Sequence, residues 1–226
     1  MRSVGCDYGT IVPENRPTRA WRWEIGGLDF RRMARPREFD VEQALDRATE
    51  LFWSKGYEAT SVQDLVEATG VNRASLYATF GDKADLFAAA LEHYESSVNE
   101  HLSKALDPPA AGAEAVRAWL AVVIEAATRA RGPRGCLLLN TVTGCTTAPT
   151  AILDQATTAM RSNRERIERA LARDPSLAGR ADLPALAGFL AAQGHGLVVL
   201  ARAGVRRREL ESAAEIALRV LAPSPS

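Results

Sequence analysis

The chain has 226 residues, 46% of them apolar and 25% charged, enough for one or two domains with a buried core. Lysine plus arginine balances aspartate plus glutamate at 28 each, so the total charge singles out neither a nucleic acid nor an anionic membrane as partner. Three scattered cysteines, Cys6, Cys136 and Cys145, make no disulfide framework and fit a reducing, cytoplasmic setting, and no signal-peptide-like apolar stretch opens the chain.

Residues 1–32 mix prolines, glycines and arginines without any period and are expected to form a flexible extension. From Asp40 the pattern turns helical. Val41, Ala44, Leu45, Ala48, Leu51 and Phe52 trace one helix face, Asp40 is placed to cap it, and Lys55 and Gly56 mark its end. Thr60 is expected to cap a second helix, with Gln63 completing a capping box, and Gly70 to stop it. Asn72 caps a short third helix, Val71 and Leu76 are spaced as a hydrophobic staple, and Gly81 ends it. Asp82 then starts a long helix toward Leu106.

Asp107, Pro108, Pro109 and Gly112 break the chain, and Val116, Trp119, Leu120, Val123 and Ile124 trace the next apolar face. The stretch "CLLLNTV" (136–142) is compatible with a strand or a buried helix. Residues 151–172 form a helix whose Arg161, Glu165 and Arg169 are spaced as an i, i+4 ladder. Residues 183–203, capped by Asp182, are apolar nearly all round and near the length of a membrane span. Gln193, His195 and the many small residues favour a buried helix over a span. A last helix covers 209–221. The expected fold is therefore all-α: a helix-turn-helix domain over 33–82 and a helical domain over 83–226.

Three short helices joined by glycine turns match the helix-turn-helix plan, with Asn72–Phe80 as the reading helix. Leu76 and Phe80 face inward, which turns Ala74, Ser75 and Ala78 outward, small enough to let the backbone approach base edges. Arg73 reaches for guanine or phosphate, and Tyr77 and Thr79 flank the inner stripe with hydroxyls for phosphate oxygens. Thr60 and Ser61 at one helix start and Lys83 at another are further phosphate candidates. Against this, residues 33–83 hold nine acidic and six basic side chains, a net −3, so attraction to DNA must come from local placement.

The segment "TSVQDLVEATGVNRASLYATFGDKADLF" (60–87) resembles the signature of TetR/AcrR-type transcriptional regulators, with Gly56, Thr60, Gly70, Val71, Leu76, Tyr77, Phe80 and Lys83 in the family's order and spacing. The resemblance covers Phe39 to about Leu91. It implies an all-helical homodimer that reads double-stranded operator DNA and answers to a small-molecule effector, with DNA contacts at Thr60, Ser61, Asn72, Arg73, Ser75, Tyr77, Thr79 and Lys83. The chain departs from many members at Ala78 and Thr79, where a histidine or aromatic is common.

Beyond residue 100 the resemblance thins. Cys136, in a Gly-Cys-Leu loop of the kind found in some of these regulators, follows Arg131 and Arg134 and reads either as a redox-sensing thiol or as a small buried hydrophobe. Effector candidates are Trp119, Val123, Asn140, Phe189 and Gln193, each of which also reads as core. Helices over 183–221 are the dimerisation candidates, with Gly188, Gly194 and Gly196 permitting close approach. No metal or cofactor is expected: His195 lacks partners, and His93 and His101 are too far apart on one helix. Neither GxSxG, HExxH nor a P-loop or dinucleotide fingerprint occurs, so an enzyme is not expected. The alternative is a helical ligand-binding or scaffold protein without specific DNA binding, which the acidic 33–83 balance would suit.

Overall fold

The computed structural model describes residues 39–129 and 135–222, apart from the side chains of Asn99 and Ser103. The expected extension over 1–32 and the loop arginines Arg131 and Arg134 lie outside the described residues. Within them the regular structure is helical throughout, as expected: α1 Val41–Lys55, α2 Val62–Thr69, α3 Arg73–Phe80, α4 Lys83–Leu106, α5 Gly112–Ala127, α6 Leu137–Gly144, α7 Thr150–Ala172, α8 Leu183–Arg202 and α9 Arg207–Leu218, which ends in a 3-10 turn Arg219–Leu221. The ambiguous stretch after Cys136 is thus helix. Its Leu137, Leu139 and Thr141 are buried, and the Thr141 and Thr143 hydroxyls donate back to the carbonyls of Leu137 and Leu139.

Two apolar cores organise the chain. The first gathers Ala48, Phe52, Leu65, Val71 and Leu76 from α1 to α3 together with Leu86, Phe87, Ala90, Leu91 and Tyr94 of α4, and takes in Leu137 and Ile152. Ring contacts lock α1 onto α4: Phe52 lies 4.8 Å from Phe87, and Trp53 meets Tyr94 edge-on at 4.8 Å. The second core runs from Leu102 and Leu106 through Trp119, Leu120, Ile167, Leu171, Leu190 and Leu197 to Leu218. Helix α4 therefore serves the first core with its N-terminal half and the second with its C-terminal end. Arg173, just after α7, secures that end by donating to the carbonyls of Leu106 and Ala110.

α8 passes as a membrane span by length and composition. Here it packs against α5, α7 and α9 and buries Leu183, Ala187, Leu190, Ala191, Gly194, Leu197, Val198 and Ala201. Asp182 stands at the N-cap position as expected, but its side chain makes no cap bond; its carboxylate is held by the Arg180 guanidinium at 2.8–2.9 Å. On α7 the pair that forms is Arg164–Glu168 (3.4 Å), not the expected 161–165–169 ladder.

Gly194 of α8 packs closely on α5: a Cβ there would stand 2.3 Å from the Trp119 ring edge. Trp119 is fully buried, so its ring must shift to admit the methyl group. Gly194→Ala is therefore expected to cost about 1–3 kcal/mol by overpacking, read as a lowered denaturation midpoint with an unchanged slope.

Candidate functional site

The expected reading helix is built as its sequence requires. The Asn72 side chain accepts from the Ser75 N–H at 2.9 Å and caps α3. Gly70 turns the chain between α2 and α3 in the left-handed region, at φ 72°. Thr69 steadies this turn by accepting from the Val71 N–H (3.2 Å), and Arg47 of α1 donates to the Thr69 carbonyl at the C-terminus of α2 (3.2 Å). Leu76 is buried, which fixes the roll of α3 and leaves Asn72, Arg73, Ala74 and Ala78 exposed, with Ser75, Tyr77 and Thr79 half-buried beside them. The Arg73 guanidinium rests over the Tyr77 ring, 5.2 Å from its centroid.

The two flanking helix starts differ from each other. At α4, Asp82 accepts from the Ala84 and Asp85 N–H groups while Asp85 accepts from the Asp82 N–H. Lys83 leans its ammonium over the Tyr57 ring (4.4 Å), and burial pushes its pKa down. At α2 the expected cap is displaced by one residue. Ser61, not Thr60, is the N-cap, and Asp64, not Gln63, closes the capping box. Asp64 also takes the Lys55 ammonium at 2.6 Å; that bond and those from Ser61 hold its carboxyl well below the usual range. Thr60 is fully buried and its hydroxyl donates to the Gly56 carbonyl (2.6 Å). It therefore offers nothing to a phosphate, and leaves the set of outward-facing candidates.

A second feature ties this head to the rest of the chain. Glu58, in the turn between α1 and α2, accepts three hydrogen bonds on one oxygen: from the Thr146 N–H (2.5 Å), the Thr146 hydroxyl (2.8 Å) and the Thr147 N–H (2.7 Å). The Thr146 backbone bond, then its hydroxyl, lower the Glu58 pKa to about 2. This is below its unfolded value of about 4.3. The latch thus adds stability above that pH and loses it as the pH falls through about 2. Glu58→Gln is expected to speed amide exchange at Thr146 and Thr147 several-fold at neutral pH, with the α1 and α4 amides unchanged.

The expected effector residues part company. Trp119 and Val123 line a partly open cavity of about 110 Å3, together with Trp53 of α1, Tyr94, Glu95 and Val98 of α4, Arg129, Cys136, Asn163 of α7, and Gly194, His195 and Val198 of α8. Phe189 lies outside its wall, 41% exposed, and Gln193 lies outside it too. Asn140 sits on another side of α6, in surface clefts, where its Oδ1 accepts from Arg202 (2.7 Å). The reason is phase: α8 is apolar all round, and the residues turned to the cavity are those level with Trp119. Burial of His195 pushes its pKa down and favours the neutral ring. Cys136 is half-buried in the cavity wall beside the Tyr94 hydroxyl, whose pKa burial raises. Sequence reasoning missed Trp53, which reads as ordinary core on α1, and Asn163, which sits among charged residues on α7.

The family model "Bacterial regulatory proteins, tetR family" matches residues 44–90. The transcriptional repressor ComR of Escherichia coli K12 is 34% identical over 82% of this chain and 90% of its own. A cysteine-substituted form of the TetR family regulator CifR, solved with 26-bp operator DNA, superposes with a TM-score of 0.75 at 35% identity, over 83% of this chain and 100% of that one. A TetR transcriptional regulator from Chloroflexus aurantiacus superposes with a TM-score of 0.68 at 27% identity, over 78% and 91% of the two chains.

Proposed function

The chain belongs to the tetR family of bacterial regulatory proteins and is a DNA-binding transcriptional regulator; from that premise we propose that it is a cytoplasmic repressor that binds a palindromic operator as a homodimer and lets go when a small molecule enters its cavity. The domains follow the same reading: an extension over 1–32, a DNA-reading domain over 33–82 and an effector and dimerisation domain over 83–226. The contacts to DNA fall on Asn72, Arg73, Ser75, Tyr77 and Thr79 of α3, and on Ser61 and Lys83 at the two neighbouring helix starts. The observation that carries the proposal is α3 itself, capped by Asn72 and rolled by buried Leu76 so that a strip of small and polar side chains faces outward.

Dimerisation through 183–221 is supported by a run of exposed apolar side chains: Phe189, Val199 and Leu200 on α8, Ile216 on α9 and Val220 in the turn after it. A second copy covering that run sets two reading helices about one DNA turn, roughly 34–36 Å, apart. The small molecule acts by differing in affinity between the state that meets this spacing and one that does not.

Titration of the purified protein against a labelled duplex from the DNA beside its coding region tests the reading. Sequence-specific binding that weakens with salt is expected, and Tyr77→Phe and Lys83→Ala should each weaken it. A genome-wide selection returning no specific site would overturn the proposal in favour of a helical ligand-binding protein.

A further inference from the structure

Resting on the effector reading above, we propose that the cavity takes an uncharged molecule about the size of one aromatic ring, bearing a hydroxyl group, and that this molecule acts on DNA binding through direct contact with Trp53 of α1.

Size comes first. The cavity holds about 110 Å3, somewhat less than the roughly 150 Å3 engineered apolar cavity that binds benzene. Its wall is largely apolar, with Val98, Leu102, Val122, Val123, Leu138 and Val198 among the lining residues, so the body of the occupant is apolar and compact.

Hydrogen bonding gives the functional group. Three buried polar side-chain atoms among the described residues lack a partner: Trp53 Nε1, Trp119 Nε1 and Asn163 Oδ1. All three residues line this one cavity. Buried polar groups are nearly always paired, and three covered orphans on residues of one cavity wall are an unmet demand that an occupant meets once those side chains turn to it. The demand is mixed: two donors and one acceptor. A hydroxyl oxygen accepts from N–H groups and donates to a carbonyl. A carboxylate cannot donate, an ammonium cannot accept, and a hydrocarbon does neither.

Charge gives the rest. The described wall carries one carboxylate, Glu95, and one guanidinium, Arg129. Arg129 already lies over the Trp53 ring, 5.8 Å from its centroid. The formal charges of the described wall therefore balance. Route follows from Trp53. It is a residue of α1, wedged edge-on against Tyr94 within the same apolar core that holds Leu65 and Leu76 of α2 and α3. An occupant that displaces Trp53 therefore acts on the core that carries the reading head.

Calorimetry on the full-length protein with phenol, toluene and benzoate at neutral pH tests this. Phenol is expected to bind at least tenfold more tightly than toluene, and benzoate more weakly than either. Trp119→Phe and Asn163→Leu should each bring the phenol-to-toluene ratio toward one while toluene binding shows that the cavity survives. Phenol should release the labelled operator from the wild type, and in Trp53→Phe, with its own phenol affinity measured by the same calorimetry, release at equal cavity occupancy should be at least tenfold less. Toluene equal to phenol, or benzoate tightest, overturns the ligand class. Equal release at equal occupancy in Trp53→Phe and wild type overturns the route. Specific operator binding with no probe bound sinks this inference and leaves the repressor reading standing. Phenol binding as expected without any operator binding sinks the repressor reading alone.

Discussion

Ala78→Glu will remove operator binding while leaving the folded protein as stable as before. Ala78 is exposed on α3, one turn beyond exposed Ala74, on the side away from buried Leu76. A surface substitution on a helix with no partner to lose changes stability by about ±0.5 kcal/mol. Against DNA the same carboxylate meets phosphates and base edges in a narrow space. Like charges brought together in an interface cost several kcal/mol, and every 1.4 kcal/mol is tenfold, so a loss of about 100-fold or more is expected. Ala78→Ser, which keeps the small size, should stay within about tenfold of wild type, since a serine contacts either kind of base edge. Fluorescence anisotropy at one fixed salt concentration, paired with a thermal melt, checks both arms. Wild-type affinity in Ala78→Glu would mean that the outward face of α3 does not meet DNA.

The double substitution Val199→Glu with Ile216→Glu will turn the protein into a monomer. Val199 is 55% exposed and Ile216 60%, the two most exposed large apolar side chains among the described residues. Five of the six such residues lie on α8, α9 and the turn after α9; the sixth is Val142 on α6. A stable interface buries at least about 1,000 Å2 with an apolar centre. Two carboxylates placed there in each copy meet their own kind across the two-fold axis. Sedimentation should show half the wild-type mass. Operator affinity should fall by about 10²–10⁴, the gain that linking two half-site contacts provides. Unchanged mass would move the interface elsewhere.

Much of the fold was legible because its punctuation is local. Asp40, Asn72, Gly70 and Gly81 act where the sequence put them. The α2 cap was not, because Thr60 with Gln63 and Ser61 with Asp64 satisfy the same rule one residue apart. The choice is tertiary: Thr60 is buried and spends its hydroxyl on Gly56, which leaves Ser61 at the helix start. The outward strip of α3 followed from the spacing of Leu76 and Phe80. The cavity did not follow from any spacing. Helix α8 has no polar face to set its phase, so Phe189 and Gln193 looked as good as Gly194 and His195. Trp53 belongs to a helix whose periodicity says only that it is inside, not what it is inside with.

The division of α4 between two cores bears on how this protein can be recombined with its relatives. A chimera joined at Gly81, where the sequence places its clearest boundary, would strand Leu86, Phe87, Ala90, Leu91 and Tyr94 on the donor that no longer supplies their neighbours. The natural splice lies inside the long helix, after Tyr94 and before Leu102, where the two cores change over. Even there, the host must bring apolar residues equivalent to Leu137 and Ile152. Transplanting its operator specificity is therefore a matter of matching one helix to a new neighbourhood rather than of cutting at a hinge.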